Sequence, residues 1–235
     1  MSNGSLDDGS SFLDGGDSDA PADADSAVET AKDEFPDSAP SPVEPCAPPG
    51  SGSGSATPPP QPCSAATIKS KLDACDGGTH VWNDAKTALG KDPTVQVGPV
   101  DGGFQANTNV QTGVITIAPT TDCCDATQSL FFELTNAKSK QRHLDIANDA
   151  AAGNVAREDF AKREARVEYD GVILLKNTFP TCRAAWGCSA SATTGYENVS
   201  PDFDTYYASQ TDRYKDYYRN FWDNNYKAAY QAKHH

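Results

Sequence analysis

Three groups of side chains in this sequence have the types and spacing for chemistry. Glu133 and Asn136 sit three residues apart in the run Ser129-Leu-Phe-Phe-Glu-Leu-Thr-Asn-Ala137. There Ala126, Leu130, Leu134 and Ala137 repeat at helical spacing with Phe131 beside them, which places Glu133 at the border of an apolar stripe. A half-buried carboxylate must be hydrogen-bonded or must hold its proton more tightly, and the second case makes a general acid or base. Glu164 and Glu168 repeat the pattern, because Phe160, Glu164, Glu168, Gly171 and Leu175 fall on one stripe with Asp170 close by. Carboxylates brought together from two helices would suit a hard divalent cation such as calcium, magnesium or manganese better than zinc. The competing reading is a surface ladder on that helix, Glu158 with Lys162 and Arg166 with Asp170.

The third group is Cys123-Cys124, at a helix start where the macrodipole favours a thiolate, with His143 on the next helix and Asp145 or Asp149 to orient it. Such a Cys/His/Asp set, with Cys124 or Cys123 as nucleophile, suits amide hydrolysis or glutamine deamidation. Cys75 with His80 is a looser pair of the same kind. The alternative for each cysteine is a small buried hydrophobe or half of a disulfide. There are seven, an odd number, so complete intramolecular pairing is excluded. Outside a reducing cytosol, Cys182 could close a short loop with Cys188, and Cys46 and Cys63 could do the same around a linker. No Cys-x-x-Cys pair is present, which argues against a zinc ribbon.

The elements that must position these groups are legible in outline. Short helices are expected at Ile68–Ala74 and Val81–Leu89, the latter ending at Gly90. Thr94–Gly98 alternates like a strand, and Gly103–Asn107 with Gly113–Ala118 reads as a hairpin. Helices are expected from Asp122, then over Gln141–Ala152, then over Ala156–Phe179 with Pro180 just past the end. Ser200-Pro201 has the form of an N-cap and first turn for a last helix. The fold class is α+β: a small antiparallel sheet or hairpin followed by three to four helices, in one domain over residues 66–235.

Residues 1–65 differ in kind. The chain of 235 residues carries 33 acids and 19 bases, for a net charge of −14. Twelve of those acids and a single base, Lys32, lie in the first 65 residues, together with 11 of the 16 prolines and no Trp or Tyr. So little apolar surface cannot offset the entropy of ordering a backbone, and a disordered acidic arm with a Pro/Gly/Ser linker at Pro45–Pro62 is expected. The first 30 residues lack the basic and apolar regions of a Sec leader, and no run approaches the roughly 18 apolar residues of a membrane span. Acidity argues against a nucleic-acid partner. Nine of the 21 aromatics crowd into residues 206–230; Tyr214, Tyr218 and Phe221 share a helical face there, suited to packing on the domain or to a protein partner.

The strand–helix passage Gly113-Val-Ile-Thr-Ile-Ala, Thr120-Thr-Asp and Ser129–Ala137 resembles the zincin metallopeptidases, in which an edge strand precedes a helix bearing His-Glu-x-x-His. The matching positions here are Phe132, Glu133 and Asn136: the glutamate is kept and both imidazole positions are replaced. The resemblance covers roughly residues 94–180. It implies a hydrolytic domain of the kind found in secreted bacterial effectors and toxins, with Glu133 as general base and Glu164 or Glu168 as the downstream carboxylate. It also implies export by a signal-peptide-independent route, the cytoplasm being the alternative. A conventional zinc site is not expected, and a divalent cation is left open. The non-hydrolytic alternative is an interaction protein that binds its partner through the tyrosine-rich helix.

Overall fold

The computed structural model describes residues 62–100, 104–120 and 122–235. Most of the expected arm, residues 1–61, lies outside the described residues, as does Cys46. Eight helices and one three-stranded sheet follow in the order α1 (Ala65–Asp73), α2 (Asp76–Leu89), β1 (Thr94–Val97), β2 (Ala106–Asn109), β3 (Val114–Ile117), α3 (Cys123–Lys138), α4 (Lys140–Ala151), α5 (Arg157–Cys182), α6 (Phe203–Ser209), α7 (Asp212–Asn225) and α8 (Lys227–His234). This is the α+β architecture that the periodicities imply. No helix among the described residues is long and apolar enough to cross a membrane.

The hairpin forms as expected, with β2 antiparallel to β3 and Asn109 opposite Val114. Asn109 Oδ1 accepts from the Gln111 and Thr112 amides to shape its turn, and Gly113 takes the left-handed conformation that glycine allows. The first strand does not extend this antiparallel pattern. β1 pairs parallel to β3, Thr94 with Val114, so the sheet is mixed, with the order β1-β3-β2 and two edges. Alternation identifies a strand but carries no information about its neighbour or direction.

Several ends also differ. α2 starts five residues before Val81, and α5 continues through Pro180. A proline in the last turn removes one backbone bond only, and Cys182, two residues on, is tied to Cys75. The expected helix at Ser200-Pro201 begins later. Ser200 Oγ accepts from the Asp202 amide, Asp202 in turn caps α6 through Thr205, and the tail divides into α6, α7 and α8.

Helix α3 is the axis of the fold. Asp122 caps it through the amides of Cys124 and Asp125. Every residue from Ala126 to Ala137 is buried, polar ones included, because α1, α2, the sheet and α5 surround it. One apolar core gathers α1, α2, the sheet, α3 and the C-terminal half of α5; a second joins α4, the N-terminal half of α5 and α6–α8. α5 runs through both. Its approach to α3 depends on Gly171, where a Cβ would lie 2.2 Å from Thr135 Oγ1.

Three disulfides fasten this arrangement: Cys63–Cys123, Cys75–Cys182 and Cys124–Cys188. The expected short-range pairings, Cys182 with Cys188 and Cys46 with Cys63, are therefore replaced by long-range ones. Helix packing brings distant cysteines together, which spacing in sequence cannot reveal.

Two outcomes are expected in thermal or denaturant unfolding of the oxidised protein. Replacing Cys75 and Cys182 together by serine, which opens a span of 107 residues, should cost about 4 kcal/mol. Gly171→Ala should cost about 1–3 kcal/mol through overpacking against Thr135.

Candidate functional site

The three glutamates singled out by the sequence are all buried, at 0–2% exposure, on the facing helices α3 and α5. Glu133 Oε2 accepts from Thr108 Oγ1 at 2.8 Å and from Asn136 Nδ2 at 3.3 Å. Thr108 stands on the edge strand β2, so the strand–helix passage delivers both halves of this contact. Glu164 Oε2 lies 2.6 Å from His143 Nδ1, a buried pair that joins α5 to α4. Glu168 Oε2 accepts from the Tyr214 hydroxyl at 2.5 Å. Burial pushes the Glu168 carboxyl well above its usual range; hydrogen bonds from Tyr214 and Tyr218 oppose that, and the charges of Glu133 and Glu164 add to it. Burial and then the Glu168 charge hold the Tyr214 and Tyr218 protons in turn, so both phenols remain donors.

The tyrosine-rich tail and the glutamate stripe are thus one structure. Tyr214 and Tyr218 are buried against α5 and do not form a partner surface; Phe221 is half-buried and stacks 6.1 Å from Phe160. This corrects the partner-binding reading for Tyr214 and Tyr218, because side chains already packed inside their own domain cannot also meet a second protein; Phe221 keeps part of its surface exposed.

The cysteine reading is also overturned. Cys124 is bonded to Cys188 and Cys123 to Cys63, so neither sulfur is a thiolate nucleophile, and His143 is engaged by Glu164. Cys75 is consumed in the same way by Cys182. The ladder on α5 survives in part: Arg166 pairs with Asp170 at 3.6 Å, whereas Lys162 pairs with Asp204 and Glu158 with Arg219.

The metal reading finds no preassembled site at the glutamates. Zinc takes histidine nitrogen, cysteine sulfur or carboxylate oxygen, and Phe132, at the first motif position, offers none of these. Among the described residues, the one acid, cysteine or histidine set with three ligand atoms within 4.8 Å is Asp122, Cys124 and Asp125, and the Cys124 sulfur is spent in its disulfide. The residues do not fit a bound zinc.

A cleft of about 440 Å³ opens beside the N-terminal half of α3. Gln105, Asp122, Asp125, Gln128 and Ser129 form one side and the loop from Gly187 to Tyr196 the other. Burial, then the neighbouring charge of Asp122, pushes the Asp125 carboxyl up. Cys188 ties the loop to α3, and Tyr196 is buried with its ring stacked 6.3 Å from Phe132, next to Glu133 in sequence. Ser129, which lines the cleft, stands one turn before Glu133 on α3.

Neither Thr108 nor the cleft was among the residues the sequence marked. Asp122 was visible as a helix start; the loop that makes it and Asp125 one wall of a cleft comes from residues more than 60 positions away. Because Glu168 holds its proton more tightly folded than unfolded, its contribution is favourable below the unfolded carboxyl value and is lost as pH rises toward the folded one. Glu168→Gln keeps an acceptor for Tyr214 and removes that loss. The variant should gain stability over the parent as pH rises above about 4.5, at no more than about 1.4 kcal/mol per pH unit, in urea titrations across pH. A parallel pair of curves would contradict it.

Comparison with protein-family models, curated proteins and solved structures gives no match, so the chemistry of this site is read from its own geometry.

Proposed function

We propose that this chain is an exported, effector-type protein whose zincin-like domain performs acid–base hydrolysis of a protein substrate at Glu133. The observation that carries the reading is the position of Glu133: fully buried on α3, bonded to Thr108 of the edge strand β2 and within the electrostatic reach of Glu168 on α5. Burying three carboxylates is costly for stability, and a buried cluster containing a carboxyl that burial pushes up, as it does Glu168, marks a functional-site candidate. In this reading Glu133, held by Thr108 and Asn136, takes a proton from the attacking water. Glu168, which holds its own proton, returns one to the leaving group, while Glu164 is held by His143. Two carboxyls in different environments divide the acid and base roles without a metal. The reaction requires the 189–199 loop to swing Tyr196 off Phe132, since the described conformation encloses Glu133. Three disulfides support the exported half of the proposal, because such bonds persist in oxidising compartments.

A second reading, a binding protein without catalysis, is favoured by that same enclosure. The two separate on Glu133→Gln. Directed to the periplasm of a bacterial host, the parent protein should reduce colony counts. The variant, equally oxidised and folded by circular dichroism and free-thiol titration, should restore them. Equal toxicity of the two proteins, or none in either, would overturn the hydrolytic reading.

A further inference from the structure

The two cores of the molecule are held together in different ways. All six bridged cysteines lie in the first core or pack against it. Cys188 is the last cysteine of the chain, so no disulfide reaches the tail helices α6–α8, which join α4 and the N-terminal half of α5 in the second core. Ion pairs tie the tail down at the surface: Lys162 with Asp204, Arg157 with Asp223 and Arg219 with Glu158. Pairs this open to water contribute little. Its inner contacts are the apolar packing of the second core, the Trp222 indole donating to the Val155 carbonyl, and the Tyr214 hydroxyl donating to Glu168.

That last contact meets a centre of uncompensated charge. Glu168 faces Tyr214 and Tyr218 from α7, Glu133 from α3 and Glu164 from one turn away on α5. Tyr206 of α6 lies within reach of its charge, and His143 of α4 is engaged by Glu164. Helix α2 packs at the other end of α5, where Gly77 lies beside Thr178 and Cys182. Among the described residues no lysine or arginine is buried. An ionised Glu168 would have two phenols as donors, but it would face two more carboxyls with no buried guanidinium or ammonium to offset them. Burial makes the docked carboxyl hold its proton, and water reaching the site on release of the tail would return it to its ordinary range. Ionisation therefore favours the released form.

We propose that α6–α8 form a pH-sensitive cap, seated on α5 while the Glu168 carboxyl is neutral and undocking as one body when it ionises, with the disulfide-tied half left folded. Docking has full strength below the value of the water-exposed carboxyl and weakens as pH rises toward the docked one. Between those two values the undocking constant grows by up to about tenfold per pH unit. The consequence for activity rests on the hydrolytic reading: undocking takes the proton from Glu168, which then has none to return to the leaving group, so hydrolysis is turned off as pH rises. The cap itself does not depend on that reading.

The test is amide hydrogen exchange of the oxidised full chain between about pH 5 and about pH 9, each rate being divided by its intrinsic value at that pH. Protection of α6 and α7 should fall by up to about tenfold per pH unit while protection of α3 holds. The indole N–H groups give an internal comparison, since Trp222 belongs to the tail and Trp186 to the first core. Glu168→Gln should make tail protection independent of pH. In the parent, the side-chain carboxyl carbon of Glu168, followed by NMR, should titrate over the range in which the tail loses protection, a measurement that decides the matter even where the variant does not fold. Equal loss of protection in both halves, a tail indifferent to pH, or the parent's slope retained in folded Glu168→Gln would overturn the cap. A failed growth assay with pH-dependent tail exchange removes the hydrolytic reading alone. Toxicity that depends on Glu133, with tail exchange indifferent to pH, removes the cap alone.

Discussion

Helix α3 has no solvent face along the twelve residues from Ala126 to Ala137, and this constrains everything around it. A helix buried all round satisfies its own backbone, but each polar side chain on it must find a partner inside the protein or remain at a cost. Glu133 meets that requirement through Thr108 on β2 and Asn136 on its own next turn. The need for a donor at that height explains why a polar threonine occupies a fully buried position of an otherwise apolar sheet face. The same requirement extends outward. Glu168 is answered by phenols from α7, and Glu164 by an imidazole from α4.

Polar demand at the centre therefore dictates the composition of the periphery. The tyrosine-rich tail supplies a large apolar area to the second core and hydroxyls at its inner end, a combination that phenylalanine could not provide. Tyr214 and Tyr218 meet each other edge to face with ring centres 5.9 Å apart, so the pair that serves Glu168 is itself held by packing. Trp222 follows the same rule, donating its indole N–H to the Val155 carbonyl.

The disulfides are part of the first core, with Cys63, Cys124 and Cys182 buried in it and Cys75, Cys123 and Cys188 packed against it. Two of the three start from the adjacent residues Cys123 and Cys124 at the N-terminal end of α3 and lead in different directions, to the segment before α1 and to the loop after α5. The third joins the start of α2 to the end of α5. The loop that walls the cleft has little regular structure and few apolar anchors besides Trp186 and Tyr196. Its covalent link to α3 keeps it placed against the acidic wall, and its stack on Phe132 keeps the glutamates enclosed.

Periodicity in the chain by itself determined the long helices, the hairpin and the class of fold, though not the division of the tail into α6, α7 and α8, because burial of one face imposes a local repeat that a sequence must display. It also marked Glu133, Glu164 and Glu168 as acids out of place on apolar stripes. Only the tertiary structure decided what those acids touch. The parallel pairing of β1, the cysteine partners, the Tyr214–Glu168 bond and the cleft all join residues 20 or more positions apart. Nothing in local spacing encodes such meetings, since they follow from how whole helices pack. Cys124 shows the limit most clearly. At a helix start its position reads as a reactive thiolate, and a loop 64 residues later turns the same atom into a structural bond.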